Sequence, residues 1–378
     1  MRFLPDAREL ALREEFRTFF EQHCPPDYAE HCDTNAEFPI QLFGSAGECG
    51  MFGLTVPAEY GGRGEDAVAL AILFEEAGRA FPDFANLVVR QALCSSAILR
   101  SGPEAVRQQY LPRFAAGTVH MAFAATEPDA GSDVASMRTT IEPVDGELRI
   151  DGNKVFATGS DVGDAMLVLG RLPETTRRHG LSAVVVATDS HGVGIERMAT
   201  LGVRATGSAR VRLDGVRVGT DQMVGELGDG WSVLTGGLDL ERLATSAIAC
   251  GAANFLIEHV ADYLRGRHQF GGPLSRLQMV RHRMADLAMD VDSAELAMFR
   301  TAYRISNGIG THVEASVAKL AATEAYMRTA HAAVQLEGGY GYSGDAIVQR
   351  HFRDAKMYEI GGGASDVQRE IIARGLGL

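Results

Sequence analysis

From Pro5 to about Phe114 the apolar residues recur at helical spacing, as in the run Ala67-Val68-Ala69-Leu70-Ala71-Ile72-Leu73-Phe74. Turn clusters at Pro57 to Gly64 and at Ser101-Gly102-Pro103 divide this stretch into separate helices. From about His120 to Gly225 the period changes to two. Leu148 and Ile150 lead into Asp151-Gly152, a Val-rich run spans Leu181 to Ala187, and Val211 to Val218 alternates around Asp214-Gly215. From Trp231 the helical spacing returns over four long segments. These run from about Trp231 to Arg265, Arg276 to Ser306, Gly310 to Leu336 and Asp345 to Ile360, and a short segment follows to Arg374.

Helices, then strands, then helices separate the two classes along the chain, which disfavours a doubly wound sheet of alternating elements. The pattern predicts an α+β fold of three domains. They are an N-terminal helical domain over 1–119, a middle antiparallel β domain of sandwich or barrel form over 120–226, and a C-terminal four-helix bundle over 227–378. A chain of 378 residues accommodates three domains, at roughly 100 to 200 residues each.

Apolar residues make up 46% and charged residues 22%, an ordinary globular balance. The net charge of −13 argues against nucleic acid and anionic membrane as partners. Cys24, Cys32, Cys49, Cys94 and Cys250 form no C-x-x-C pair and read as reduced thiols, and no zinc site is expected. Acidic residues interrupt the first sixteen positions, where a signal peptide needs an apolar run, and no apolar stretch of spanning length stands out. A cytoplasmic protein is expected.

Gly339-Tyr-Gly341-Tyr-Ser-Gly344 matches G-x-G-x-x-G, but a helical stretch precedes it where a dinucleotide fingerprint requires a strand. No G-x-S-x-G elbow, Walker loop or H-E-x-x-H occurs. The segment Thr126-Glu127-Pro128-Asp129-Ala130-Gly131-Ser132-Asp133, at the helix-to-strand boundary, reads most plainly as a polar interdomain turn. Its small residues and hydroxyls equally suit close approach of backbone N–H groups to an anionic or planar ligand.

That segment resembles the T-E-P-x-A-G-S-D signature of acyl-CoA dehydrogenases. Further pieces follow in the family's order. They include Val56-Pro57-Ala58-Glu59-Tyr60-Gly61-Gly62, Gly152 to Gly159, Leu201-Gly202-Val203-Arg204, Leu238-Asp239-Leu240-Glu241-Arg242, Arg267-His268-Gln269-Phe270-Gly271 with Gln278, Gln335 to Gly341, and Arg353-Asp354-Ala355-Lys356. The resemblance covers nearly the whole chain and implies FAD as cofactor. Phe123, Thr126, Phe156 and Thr158 would line the isoalloxazine, and Gly131 and Ser132 would lie toward pyrophosphate or pantetheine. Arg267, Phe270, Gln278, Gln335, Gly338 and Gly339 would hold the FAD of a neighbouring subunit in a homotetramer. Ser132, Asp239, Arg242 and Gly362 would meet the substrate, an acyl-CoA or acyl-carrier-protein thioester. An electron-transfer flavoprotein would accept the electrons.

Most of the family carries its catalytic base in Y-E-G-T near the C-terminus. Here that position is Gly362, within Tyr358-Glu359-Ile360-Gly361-Gly362-Gly363-Ala364. A branch similar to isovaleryl-CoA and long-chain acyl-CoA dehydrogenases carries the base in L-D-L-E-R-L instead, which this chain matches with Glu241. On the residues alone Glu241 is a solvated helix residue, and Glu359 and Glu337 are rival carboxylates. Ala364 stands for the family's threonine and Phe156 for its tryptophan beside the flavin. The resemblance therefore implies α,β-dehydrogenation of an acyl thioester with Glu241 as base. The alternatives are an acyl-carrier-protein dehydrogenase, a flavin monooxygenase on the same fold, and a flavin-free binding scaffold.

Overall fold

The computed structural model describes residues 5–378. The first region holds α1 (Ala7–His23), α2 (Pro26–Asn35), α3 (Ile40–Glu48), α4 (Ala67–Ala80), α5 (Pro82–Ser101) and α6 (Glu104–Ala115). Asp6 opens α1 through a reciprocal capping box with Glu9, and Asp66 opens α4 by accepting from the Ala69 N–H. Both satisfy first-turn amides that have no helical acceptor. The unbroken apolar run in α4 is explained by its surroundings, since every residue from Ala67 to Gly78 is buried.

The middle region holds β1 (Met121–Ala124), β2 (Thr140–Val144), β3 (Glu147–Lys154), β4 (Ala165–Arg171), β5 (Leu181–Ala187), β6 (Val193–Met198), β7 (Ser208–Gly219) and β8 (Met223–Val224). They form one sheet in the order β6-β7-β3-β2-β4-β5-β8, with β1 on β4. The sheet is mixed but mostly antiparallel, in keeping with the expected β domain. The pairs β2–β3, β3–β7, β4–β5, β5–β8 and β6–β7 are antiparallel, but β1 and β2 each pair with β4 in parallel. The long 125–139 connection and the β2–β3 hairpin return the chain to β4 in the direction in which β1 left. Strands β4 and β5 are buried on both faces, one packing on Ile141, Val211 and Leu213 and the other on Ile98, Leu111 and Phe114. That double burial accounts for their continuous apolar sequence.

The last region opens with α7 (Gly230–Gly266), followed by the ribbon β9 (His268–Gln269) and β10 (Gly272–Pro273). Then come α8 (Gln278–Ser306), α9 (His312–Glu337), α10 (Ile347–Ile360) and the short α11 (Ser365–Gly375). Helix α7 is long and apolar enough to cross a membrane by length and composition, yet 72% of its apolar window is buried inside the fold. It shares one core with α1, α4, α5, α8, α9 and α10. At the α4–α7 crossing, a Cβ on Gly78 or Gly251 would overlap the facing backbone, so glycine is required for this approach.

A buried polar clasp joins the sheet region to the helices. Asp83 at the start of α5 accepts from the amides of Ala205 (2.6 Å) and Thr206 (3.1 Å), and Asp354 in α10 accepts from the Val203 amide at 2.7 Å. Arg353 pairs with Asp33 and donates to the Leu201 carbonyl. Burial raises the pKa of both Asp83 and Asp354. In the folded state the two carboxyls therefore hold protons that the unfolded chain, with an aspartate pKa of about 3.9, releases. Their contribution to stability is fully present below that value and is lost as pH rises through the folded values. Asp354→Asn keeps an acceptor for Val203 but removes one charge. Its stability relative to the parent, measured as the urea midpoint between about pH 4 and 7, is expected to improve as pH rises. A pH-independent difference would contradict this.

Candidate active site

The motif loop is held from beneath by a buried ion pair. The Glu127 carboxylate accepts from the Arg138 amide (2.6 Å), the Thr139 amide (2.9 Å) and Lys154 Nζ (2.8 Å), and Lys154 also donates to the Ala125 carbonyl at 3.1 Å. Lys154 is completely buried. Burial lowers its pKa to about 8 against the pull of Glu127. Burial would raise Glu127, but Lys154 and the amides outweigh it and hold the carboxyl below its usual range. The Val155 amide donates to the Thr126 carbonyl at 2.9 Å, fastening the loop to the end of β3. Neither Glu127 nor Lys154 figured among the site residues expected from sequence. The signal was there: each sits inside a quoted motif with no ligand role assigned to it.

Beyond β3 the chain turns through Phe156, whose φ of +56° carries its ring out of the sheet to 58% exposure. It lines a cavity of about 720 Å³ with Pro128, Asn153, Ile195, Arg210 and Arg212. Thr158 is buried just behind, Phe123 and Thr126 are half-buried, and Gly131 and Ser132 lie on an exposed turn that lines neither this cavity nor the one described below. An exposed aromatic face, adjacent hydroxyls and arginines around an open cavity suit a planar ring cofactor carrying anionic groups.

The second predicted group gathers at the far end of the bundle. Arg267 ends α7, Phe270 at the tip of the β9–β10 ribbon is 82% exposed with φ +53°, and Gln278 opens α8. Gln335, Gly338 and Gly339 end α9, and a Cβ at either glycine would meet nothing within 4 Å. The Arg267 guanidinium lies 5.2 Å from the Tyr340 ring centroid, bringing the α7 and α9 termini together. Among the described residues no carboxylate pairs with Arg267, so its charge is available to an anion.

The three candidate carboxylates stand in different surroundings. Glu241 projects from α7 toward Gly362, where a Cβ would stand 3.5 Å from Glu241 Cγ and 3.4 Å from Thr245 Oγ1. The two positions at which the family places its base thus converge, and the side chain absent from one is present at the other. Gly362 has φ +66°, a conformation that penalises any side chain there. Lys319 Nζ donates to the carbonyls of Glu359 (3.1 Å) and Gly363 (2.9 Å), and the Gln368 amide donates to those of Gly362 (3.2 Å) and Gly363 (2.7 Å). These bonds fix the glycine run. Glu359 is occupied by Lys356 at 2.7 Å, and Glu337 faces His259 at 3.0 Å. Both rivals point elsewhere.

Asp239, two residues before Glu241, accepts from Arg242 Nη1 (2.9 Å) and Thr311 Oγ1 (2.8 Å). It lines a second cavity, of about 520 Å³, with Ser95, Arg100, Gly236 and Leu240. Arg242, expected at the substrate, is 3% exposed and lines no part of that cavity. It is paired with Asp239, which it helps to hold in place.

The exposed Phe156 beside an open cavity and the unpaired Arg267 are compatible with a bound planar cofactor carrying phosphates. Comparison with known proteins agrees over the full length. The profiles described as acyl-CoA dehydrogenase N-terminal, middle and C-terminal domains match residues 6–118, 122–216 and 228–377. An acyl-CoA dehydrogenase of Bacillus subtilis is 32% identical over 97% of both chains. The structure of glutaryl-coenzyme A dehydrogenase in complex with glutaryl-CoA superposes with a TM-score of 0.96 at 30% identity, covering 100% of this chain and 97% of that one. The prolyl acyl carrier protein oxidase AnaB superposes with a TM-score of 0.95 at 25% identity, covering 99% and 100%. The chain belongs to the acyl-CoA dehydrogenase family. It is a flavoprotein oxidoreductase acting on CH–CH bonds, and its cofactor is FAD.

Proposed function

We propose that this protein oxidises the Cα–Cβ bond of an acyl thioester, with Glu241 removing the α proton. The observation that carries the reading is the approach of Glu241 to Gly362, which leaves one carboxylate where the family needs one. FAD, when bound, supplies the acceptor for the hydride leaving Cβ. Phe156, Thr158, Phe123 and Thr126 would hold its ring. Among the described residues the Gly362 N–H has no acceptor, so it is free to bind the thioester oxygen as charge develops there. Anaerobic bleaching of the flavin by a panel of acyl-CoA thioesters tests the assignment. A protein that keeps its FAD but is bleached by none of them is not a dehydrogenase of this kind.

The exposed Phe270, Met279 and Tyr342 sit at the same end of the bundle as Arg267. This surface supports a homotetramer in which one subunit's α7 and α9 termini complete the FAD site of the next. Arg267→Ala is then expected to weaken FAD by about 1.5–3 kcal/mol, the range for a hydrogen bond to a charged group, and to weaken assembly with it. Sedimentation together with flavin occupancy measures both. Unchanged values would place Arg267 outside the site. Electron-transfer flavoprotein is the proposed acceptor. Similarity to the carrier-protein oxidase favours a second reading, in which the acyl group arrives on a carrier protein.

A further inference from the structure

We propose that Lys319 is a positioning residue of this site: its buried ammonium grips both ends of the 359–363 turn and so aims the Gly362 N–H at the thioester oxygen. The inference rests on the dehydrogenase reading given above. Lys319 lies in the first half of α9 and is wholly buried. Its Nζ donates to the carbonyls of Glu359 at 3.1 Å and Gly363 at 2.9 Å, and these two acceptors bracket Gly362. The first belongs to the last turn of α10, where carbonyls have no donor within the helix and a cation complements the helix dipole. The second lies just before α11. One ammonium therefore ties the end of one helix to the start of the next.

The residues in between cannot hold themselves. Gly361, Gly362 and Gly363 bring no side chain, and the last two stand at φ of +66° and +91°. Gln368 grips the carbonyls of Gly362 and Gly363 from the α11 side, at 3.2 and 2.7 Å. Each peptide unit is planar, so anchoring the carbonyls around Gly362 also fixes the direction of its N–H. Among the described residues that N–H has no acceptor.

A buried ammonium is a costly way to bind two carbonyls, and its charge needs support. Burial pushes the Lys319 pKa down to about 8; Glu241 is the charge that most resists this, followed by Glu359, while Arg242 adds to the depression and Glu324 opposes it. Glu241 is itself held from α5 by Arg90, whose Nη1 donates to Oε1 at 3.0 Å. When the α proton moves to Glu241, that carboxylate becomes neutral, and the electron pair left on the α carbon spreads onto the thioester oxygen. Negative charge thus leaves one neighbour of Lys319 and gathers at the turn that Lys319 holds. An apolar side chain could fill the same space but would neither fix the turn nor favour that displacement of charge.

The test uses the FAD-loaded enzyme and the acyl-CoA that bleaches it fastest in the panel. Lys319→Met, uncharged and of similar length, is expected to keep FAD bound and the substrate dissociation constant within about threefold. The anaerobic reduction rate at saturation is expected to fall about ten- to a hundredfold, less than the roughly 10²- to 10³-fold typical of deleting an oxyanion donor outright. Lys319→Arg keeps charge and donors and is expected to recover part of that rate. The second readout is the carbonyl stretch of the corresponding enoyl-CoA bound to oxidised enzyme, which shifts to lower frequency when its oxygen accepts a hydrogen bond. That shift is expected to shrink in Lys319→Met, and also in Gln368→Leu, which frees the same turn from the other side. A lysine that only stabilises the fold would lower the urea midpoint and leave the carbonyl shift and the rate per flavin unchanged, and that result overturns the proposal. If Lys319→Met does not fold, an unchanged carbonyl shift in Gln368→Leu overturns it. If no acyl-CoA reduces the flavin of the parent enzyme, the dehydrogenase reading falls and takes this proposal with it, an outcome distinct from reduction that is indifferent to Lys319.

Discussion

Glu241→Gln is expected to keep FAD bound while slowing flavin reduction by substrate about 10²- to 10⁴-fold, the usual contribution of a positioned general base. The amide is nearly isosteric with the carboxylate and still accepts from Arg90, so the site remains formed and only proton acceptance is lost. No side chain at position 362 can substitute, Glu359 is held by Lys356, and Glu337 lies at the C-terminal end of α9 beside His259. Glu359→Gln and Glu337→Gln are accordingly expected to retain turnover. Stopped-flow bleaching under anaerobic conditions separates the three. Rapid bleaching of Glu241→Gln would show that another group takes the proton.

The second large effect concerns the support of the Thr126 loop. Lys154→Met leaves the Glu127 carboxylate buried with two amide donors and no counter-charge. Breaking a buried pair from one side typically costs about 3–5 kcal/mol. Because the same carboxylate ties the Thr126 loop to Arg138 and Thr139, flavin occupancy is expected to fall together with the urea midpoint. Adding Glu127→Gln to Lys154→Met removes the stranded charge, and the double variant is expected to be more stable than the single one. A double variant that is the less stable of the two would mean that Glu127 holds the loop without needing its cation.

The order of elements and the three regions were legible because the apolar period changes from helical to alternating near His120 and back near Trp231. The parallel pairing of β1 and β2 with β4 was not, since periodicity reports which face is buried and carries nothing about strand direction. Among site residues, Glu241 could be singled out only through family resemblance. Its sequence surroundings are those of an ordinary helix, and what distinguishes it is a glycine more than a hundred positions away. Arg90 left no local signal. It lies between Val89 and Gln91 in a mostly apolar helix, and only the packing of α5 on α7 reveals what it faces. Arg242 was expected at the substrate from the motif it shares with Glu241, and periodicity could not show that it is buried, with Asp239 compensating its charge.

A base carried on α7, as proposed for Glu241, rather than at the α10–α11 junction would also bear on how the site withstands heat. Position 362 lies in three consecutive glycines, a backbone whose conformation depends on the bonds from Lys319 and Gln368 rather than on its own residues. A carboxylate there would be aimed by its least rigid support. Glu241 is aimed by a 37-residue helix whose flanks are buried against α4, α5 and α9. Sites built on such elements hold their geometry more tightly than sites on loops. Fraying of the C-terminal segment, or local opening of the glycine run, leaves the reacting oxygen where it was. On this placement the aim of Glu241 is expected to be lost only with the bundle itself.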